Sequence, residues 1–90
     1  MTVAIQTYFI GPTNVRGSRI KARSMHDPKI NVTLYWEHGL SAECNHDQAA
    51  FALATKMGWG GKFVKAGGAD GSNIYARFQF PHDIAFTIDA

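Results

Sequence analysis

Four cations fall within eight residues: Arg16, Arg19, Lys21 and Arg23. The last three alternate with Ser18, Ile20, Ala22 and Ser24, in the two-residue period of a strand. Same-face residues on a strand lie about 6.5–7 Å apart, close to the spacing of successive phosphates along a nucleic-acid strand. A row of three cations can therefore follow a polyanion backbone. The same pattern also suits a solvated face, or a sheet edge protected against edge-to-edge aggregation. Tyr8, Tyr35, Tyr75 and Arg77 join this candidate surface by strand parity, and aromatic rings beside arginines are suited to stacking bases or anchoring a protein partner.

Residues that could act in catalysis are present without the spacing that catalysis needs. Cys44-Asn45-His46 sets a thiol and an imidazole near a helix start, where a thiol pKa can fall. Two residues apart in such a segment they do not face each other. The reading is a partly buried cysteine and a solvent-facing first-turn histidine. His26-Asp27 and His82-Asp83 are chain neighbours, which rarely make the orienting bond of a triad. His26, His38, Cys44 and His46 show no paired-ligand spacing for a metal. Gly58-Trp59-Gly60-Gly61 and Gly67-Gly68-Ala69-Asp70-Gly71 lead into no helix, so they read as turns and not as phosphate cradles. The sequence predicts no enzyme, no cofactor and no metal.

The elements that must position these residues follow from local pattern. Residues 3–10 are rich in β-branched and aromatic types, and Val3, Ile5, Thr7 and Phe9 form the core-facing parity. Gly11-Pro12 ends that strand and Thr13, Asn14 and Gly17 turn the chain. Strands are predicted at 18–24 and 30–36, with Asp27-Pro28 between them. Asn45, with Gln48 three residues on, predicts a capped helix over 46–57. Its narrow apolar stripe is Ala49 or Ala50, Leu53 and Met57. Lys56 suits the last turn, Gly58 is a natural C-terminal cap, and Trp59 packs back onto the core. Strands at 62–66 and 73–80 flank a glycine-rich hairpin loop, with Ile74, Ala76, Phe78 and Phe80 inward and Asn73, Tyr75, Arg77 and Gln79 outward. Residues 84–88 form a short extra strand or a tail that packs on another chain.

The order β-β-β-α-β-β predicts an α+β fold: a single small domain over 1–90, an antiparallel sheet of four to five strands, and one helix packed on one face. The segment 81–90 is the extra strand or tail. One helix leaves the other face bare for Tyr8, Arg19, Lys21, Arg23, Tyr35, Tyr75 and Arg77.

Ninety residues, 46% apolar and 18% charged, belong to a globular chain and not a disordered one. No apolar run nears the roughly 20 residues of a membrane span, and the first residues lack a signal-peptide layout. One cysteine excludes an internal disulfide and fits a reducing compartment. The net charge of +2 is modest but polarised: residues 1–30 carry five Lys/Arg against one Asp, and residues 31–90 carry four against six Asp/Glu.

Three segments together resemble a known family. They are Thr7-Tyr8-x-x-Gly11-Pro12-Thr13-Asn14-x-Arg16-Gly17-Ser18-Arg19-Ile20-Lys21-Ala22, then Asn45-His46-x-x-Ala49-Ala50, then Lys56-Met57-Gly58-Trp59. The family consists of small proteins of phages, prophages and plasmids, with no assigned activity. The likeness covers roughly residues 5–77 and stops before Pro81. It implies a mobile-element protein in the cytoplasm of a bacterial host. Small non-enzymatic domains in that setting bind nucleic acid or inhibit host defence, as anti-CRISPR proteins do. The leading expectation is an anti-defence inhibitor that binds a host defence-complex protein or its nucleic acid; the alternatives are a nucleic-acid-binding accessory protein that uses the basic and aromatic sheet face, and a homodimer through the bare sheet face or the 84–88 strand.

Overall fold

The computed structural model describes residues 3–68 and 71–78. Five strands and one helix follow in the order β1 (Ala4–Ile10), β2 (Arg19–Ser24), β3 (Asn31–Tyr35), α1 (Ala42–Met57), β4 (Lys62–Gly67) and β5 (Asn73–Phe78). The strands pair antiparallel into one sheet, ordered β3-β2-β1-β5-β4. The fold is α+β, with α1 lying across β1, β2 and β3 on one side. The predicted segment 84–88 and the end of the predicted 73–80 strand lie outside the described residues. No described helix is long and apolar enough to cross a membrane.

Alternation sets the two sheet faces. Val3, Ile5 and Thr7 of the first strand segment and Ile20, Ala22 and Ser24 of β2 are buried beneath the helix. Phe9 departs from its predicted burial: it is 49% exposed, at the sheet's end, where it makes an edge-to-face contact with Trp36 at 5.0 Å. Above the sheet, Ala49, Ala50, Leu53 and Ala54 supply the inner face of α1. Alanines here let helix and strands approach closely, and Leu53 fills the gap between them.

The helix begins four residues before the predicted cap region at Asn45–His46. Ser41 is the N-cap; its hydroxyl accepts from the Cys44 amide at 3.2 Å. Asn45 has another task. Buried within the first turn, it accepts from the Glu37 amide at 2.8 Å and donates to the Glu37 and Ser41 carbonyls, both at 3.0 Å. One side chain thereby satisfies the loop that feeds the helix. The C-terminal expectation holds. Gly58 sits at φ 72°, its amide reaches Ala54 and Thr55, and the Trp59 amide bonds the Ala54 carbonyl at 2.8 Å. A Cβ added at Gly58 would meet nothing within 4 Å. Gly58→Ala is therefore expected to cost only the left-handed backbone penalty, about 1–2 kcal/mol, read as a fall in the urea midpoint with an unchanged slope.

Candidate functional site

The side of the sheet opposite α1 carries the candidate surface. Register fixes its layout: Lys21 stands between Tyr8 on β1 and Thr33 on β3, Arg23 between Gln6 and Asn31, and Arg19 between Ile10 and Tyr35. Side chains paired across strands share a face. The structure thus brings Tyr8, Arg19, Lys21, Arg23 and Tyr35 together as predicted, with Arg16 on the exposed β1–β2 loop beyond the β2 start.

The cations differ in how they are held. Arg23 donates through Nη2 and Nε to one oxygen of Gln6, at 3.0 and 3.3 Å, and its guanidinium lies 5.2 Å from the Tyr8 ring centre. Gln6 in turn donates to the Ser72 hydroxyl at 3.2 Å. Gln6 is thus the residue that orients Arg23, and sequence pattern alone did not mark it: only the pairing register places position 6 opposite position 23. Arg19 is left short. Among the described residues its Nε is buried without a hydrogen-bond acceptor. Because that Nε is shielded from solvent, it marks an unsatisfied donor and not a place that an incoming anion already reaches. Tyr35, directly opposite, is 70% exposed and its ring is available for stacking.

Tyr75 and Arg77 do not belong to this surface. Tyr75 pairs with Ile5 and Lys65, residues of the helix side, and is 7% exposed. Its hydroxyl donates a short hydrogen bond to Asp47. Arg77 follows the same parity, pairs with Phe63 and donates to the Gly60 carbonyl at 3.4 Å. The inversion has a physical cause. The N-terminal half of α1 presents Glu43 and Asp47 toward β4 and β5, so the strand turns its amide and hydroxyl groups inward to meet them. Asn73 donates to Glu43 at 3.4 Å, and Lys65 pairs with Glu43 at 2.9 Å and Asp47 at 3.1 Å. Burial alone would raise the Asp47 carboxyl, but hydrogen bonds from Tyr75 and Lys65 outweigh it and hold the group below its ordinary value. Burial, helped by the Asp47 contact, pushes Tyr75 up to about 12. Lys65 is raised by Glu43 and then Asp47, and Glu43 is lowered by Lys65 and then Asn73.

With β5 inverted, Ile74 and Ala76 face the open side, opposite Ala66 and Val64 of β4. Val64 is 58% exposed. The open face is therefore divided: basic and aromatic over β1–β3, and apolar around Val64, Ala66, Ile74 and Ala76 of β4–β5, with Lys62 at the start of β4 on the same face. On the helix side, a cleft of about 470 Å³ runs between α1 and β4–β5, with Ile5, Ala50, Phe51, Trp59 and Phe63 along it and Asp47, Lys65 and Tyr75 at one end.

The catalytic candidates separate. Cys44 is exposed, not partly buried as predicted. His46 is not solvent-facing: it points into the sheet, its Nδ1 lies 2.7 Å from the Thr7 hydroxyl, and its ring meets Trp36 edge-on at 6.3 Å. Burial lowers its pKa, partly countered by the charges of Glu43 and Asp47. Helical spacing aims position 46 at the sheet together with Ala49, Ala50 and Leu53, and that periodicity was the available signal. His26 and His38 sit on exposed loops.

Two of the three segments quoted for the family resemblance meet at one point. Thr7 from the first and His46 from the second form the bond that ties β1 to α1. Comparisons with family models, with curated proteins and with solved structures return no match.

Proposed function

We propose that this chain is a non-enzymatic binding protein whose open β1–β3 face holds the phosphate backbone of a nucleic acid. The carrying observation is the placement of Arg19, Lys21 and Arg23 in one row, flanked by Tyr8 and Tyr35, on a face the helix leaves bare. The non-enzymatic part is supported by the separation of exposed Cys44 from His46, which Thr7 holds inside. Fluorescence anisotropy with labelled DNA and RNA oligonucleotides over a salt series tests the reading. The expected result is an affinity falling by about 0.7–0.9 log units per log unit of salt for each neutralised phosphate. A flat salt dependence, or no binding, removes it.

The family resemblance supports a second reading, in which the protein inhibits a bacterial host's defence complex in the cytoplasm. The same cations would then pair with acidic surface on the target or with the nucleic acid it carries. Phage plaquing on hosts with and without defined defence systems tests it, and unaltered plaquing across them counts against it. A homodimer is supported by the apolar part of the open face around Val64, Ile74 and Ala76; a clean monomer by light scattering would leave that face to another partner.

A further inference from the structure

We infer that the ligand of the β1–β3 face is a single, unpaired strand lying along β2, with Tyr35 as its principal stacking platform; this rests on the nucleic-acid reading above. Three observations carry it. The cations Arg19, Lys21 and Arg23 form a row on one strand, spaced by about 6.5–7 Å, and Arg16 lies on the exposed loop that precedes β2. An extended single strand can follow such a row. A duplex backbone winds away from a sheet after a short contact, and its groove is read by an inserted helix or two-stranded ribbon, whereas α1 lies on the opposite side of this sheet.

The tyrosines supply the second observation. Tyr8 stands opposite Lys21 and Tyr35 opposite Arg19, on opposite flanks of β2. With strands about 4.8 Å apart and one pleat of offset, their α-carbons lie roughly 12 Å apart on the diagonal. Along β2 the two rings are offset by only one cation, about 6.5–7 Å, so they serve adjoining nucleotides on opposite flanks of the strand. Duplex bases are stacked on each other and cannot use such rings, but unpaired bases can.

Third, the two rings are not equivalent. Arg23, fixed by Gln6, already lies over Tyr8. Tyr35 is 70% exposed and stands directly opposite Arg19. A phosphate on Arg19 therefore places the adjoining base over Tyr35. Three cations in the row, with Arg16 on the preceding loop, give a footprint of about three to four nucleotides, at the short end of known single-strand sites.

The test uses the full chain, a fluorescein-labelled 12-mer of thymidine, and a labelled duplex of the same length, each over a salt series. Tyr35→Ala, Tyr35→Phe and Tyr8→Ala are compared with the parent protein. The single strand is expected to bind at least ten-fold tighter than the duplex. Tyr35→Ala should weaken it on the order of ten-fold, Tyr8→Ala by less, and Tyr35→Phe hardly at all. Equal affinity for duplex, or an unchanged affinity in Tyr35→Ala, overturns the inference, and a steep salt slope in those same data would leave the nucleic-acid reading standing. Absence of any salt-dependent binding overturns both.

Discussion

Replacing Arg19, Lys21 and Arg23 together by glutamine is expected to lower nucleic-acid affinity on the order of 100-fold at about 0.1 M salt. Each phosphate neutralised on a single strand contributes about 0.7 to the slope of log affinity against log salt. Referred to a salt concentration near 1 M, one contact is then worth roughly five-fold at a tenth of that concentration, and three contacts multiply to about two orders of magnitude. The slope itself should drop by about 2, leaving the share of Arg16. The slope is the sharper readout, because a merely damaged surface would reduce affinity without changing the number of ions released.

The variant should still fold. All three side chains lie on the face away from the helix, and among the described residues their partners there are few: Gln6 and Tyr8 for Arg23, and no acceptor for the Arg19 Nε. Glutamine keeps β2 polar on that side, and the inward Ile20, Ala22 and Ser24 are untouched. An unfolding midpoint close to that of the parent, beside a lost salt slope, assigns the row to binding. An unchanged slope would return it to the bland role of a solvated, aggregation-resistant face.

Much of this surface was legible in the sequence for one reason: β2 alternates without ambiguity. Its inward residues are small or apolar and its outward residues are all cations, so only one parity can face a core. The neighbouring strands β1 and β3 fall into line by register. β5 offered no such contrast. Ile74, Ala76 and Phe78 make the more apolar set, and hydrophobicity alone turns them inward. The structure chooses the other parity because the helix meets β5 with carboxylates. Asp47 and Glu43 are matched by Tyr75, Asn73 and Lys65, a pairing across distant positions that no local pattern encodes. The helix start was misread for a related reason. Ser41 and Asn45 are both good cap residues, and the choice between them rests on Asn45 being needed by the 37–41 loop. His46 reads as a polar first-turn residue until Thr7 is found beneath it, 39 positions away in the chain.

Acidification should destabilise the fold through that same His46. Its pKa is lowered in the folded chain because burial disfavours the imidazolium. The unfolded chain, with the ordinary value of 6.5, takes up its proton first as pH falls. Stability from the neutral ring is thus fully present above about pH 6.5 and is lost as pH drops from there toward the folded-state pKa. Glu43 and Asp47 are held below their ordinary values, so they stay ionised through this window and their stabilising bonds to Lys65 persist. Urea unfolding at pH 8 and at pH 5.5 should therefore show a lower midpoint at the acid end, and His46→Gln should flatten the difference. Thr7→Val tests the bond itself. It preserves shape but leaves Nδ1 facing a methyl group in a buried site, at a cost of about 1–3 kcal/mol. For a domain this small that is a large share of the total stability, and because Thr7 and His46 join β1 to α1, the loss should unlatch the helix from the sheet and appear in the near-ultraviolet signal of Trp36. If His46→Gln keeps the full pH dependence, burial of the imidazole is not what sets it.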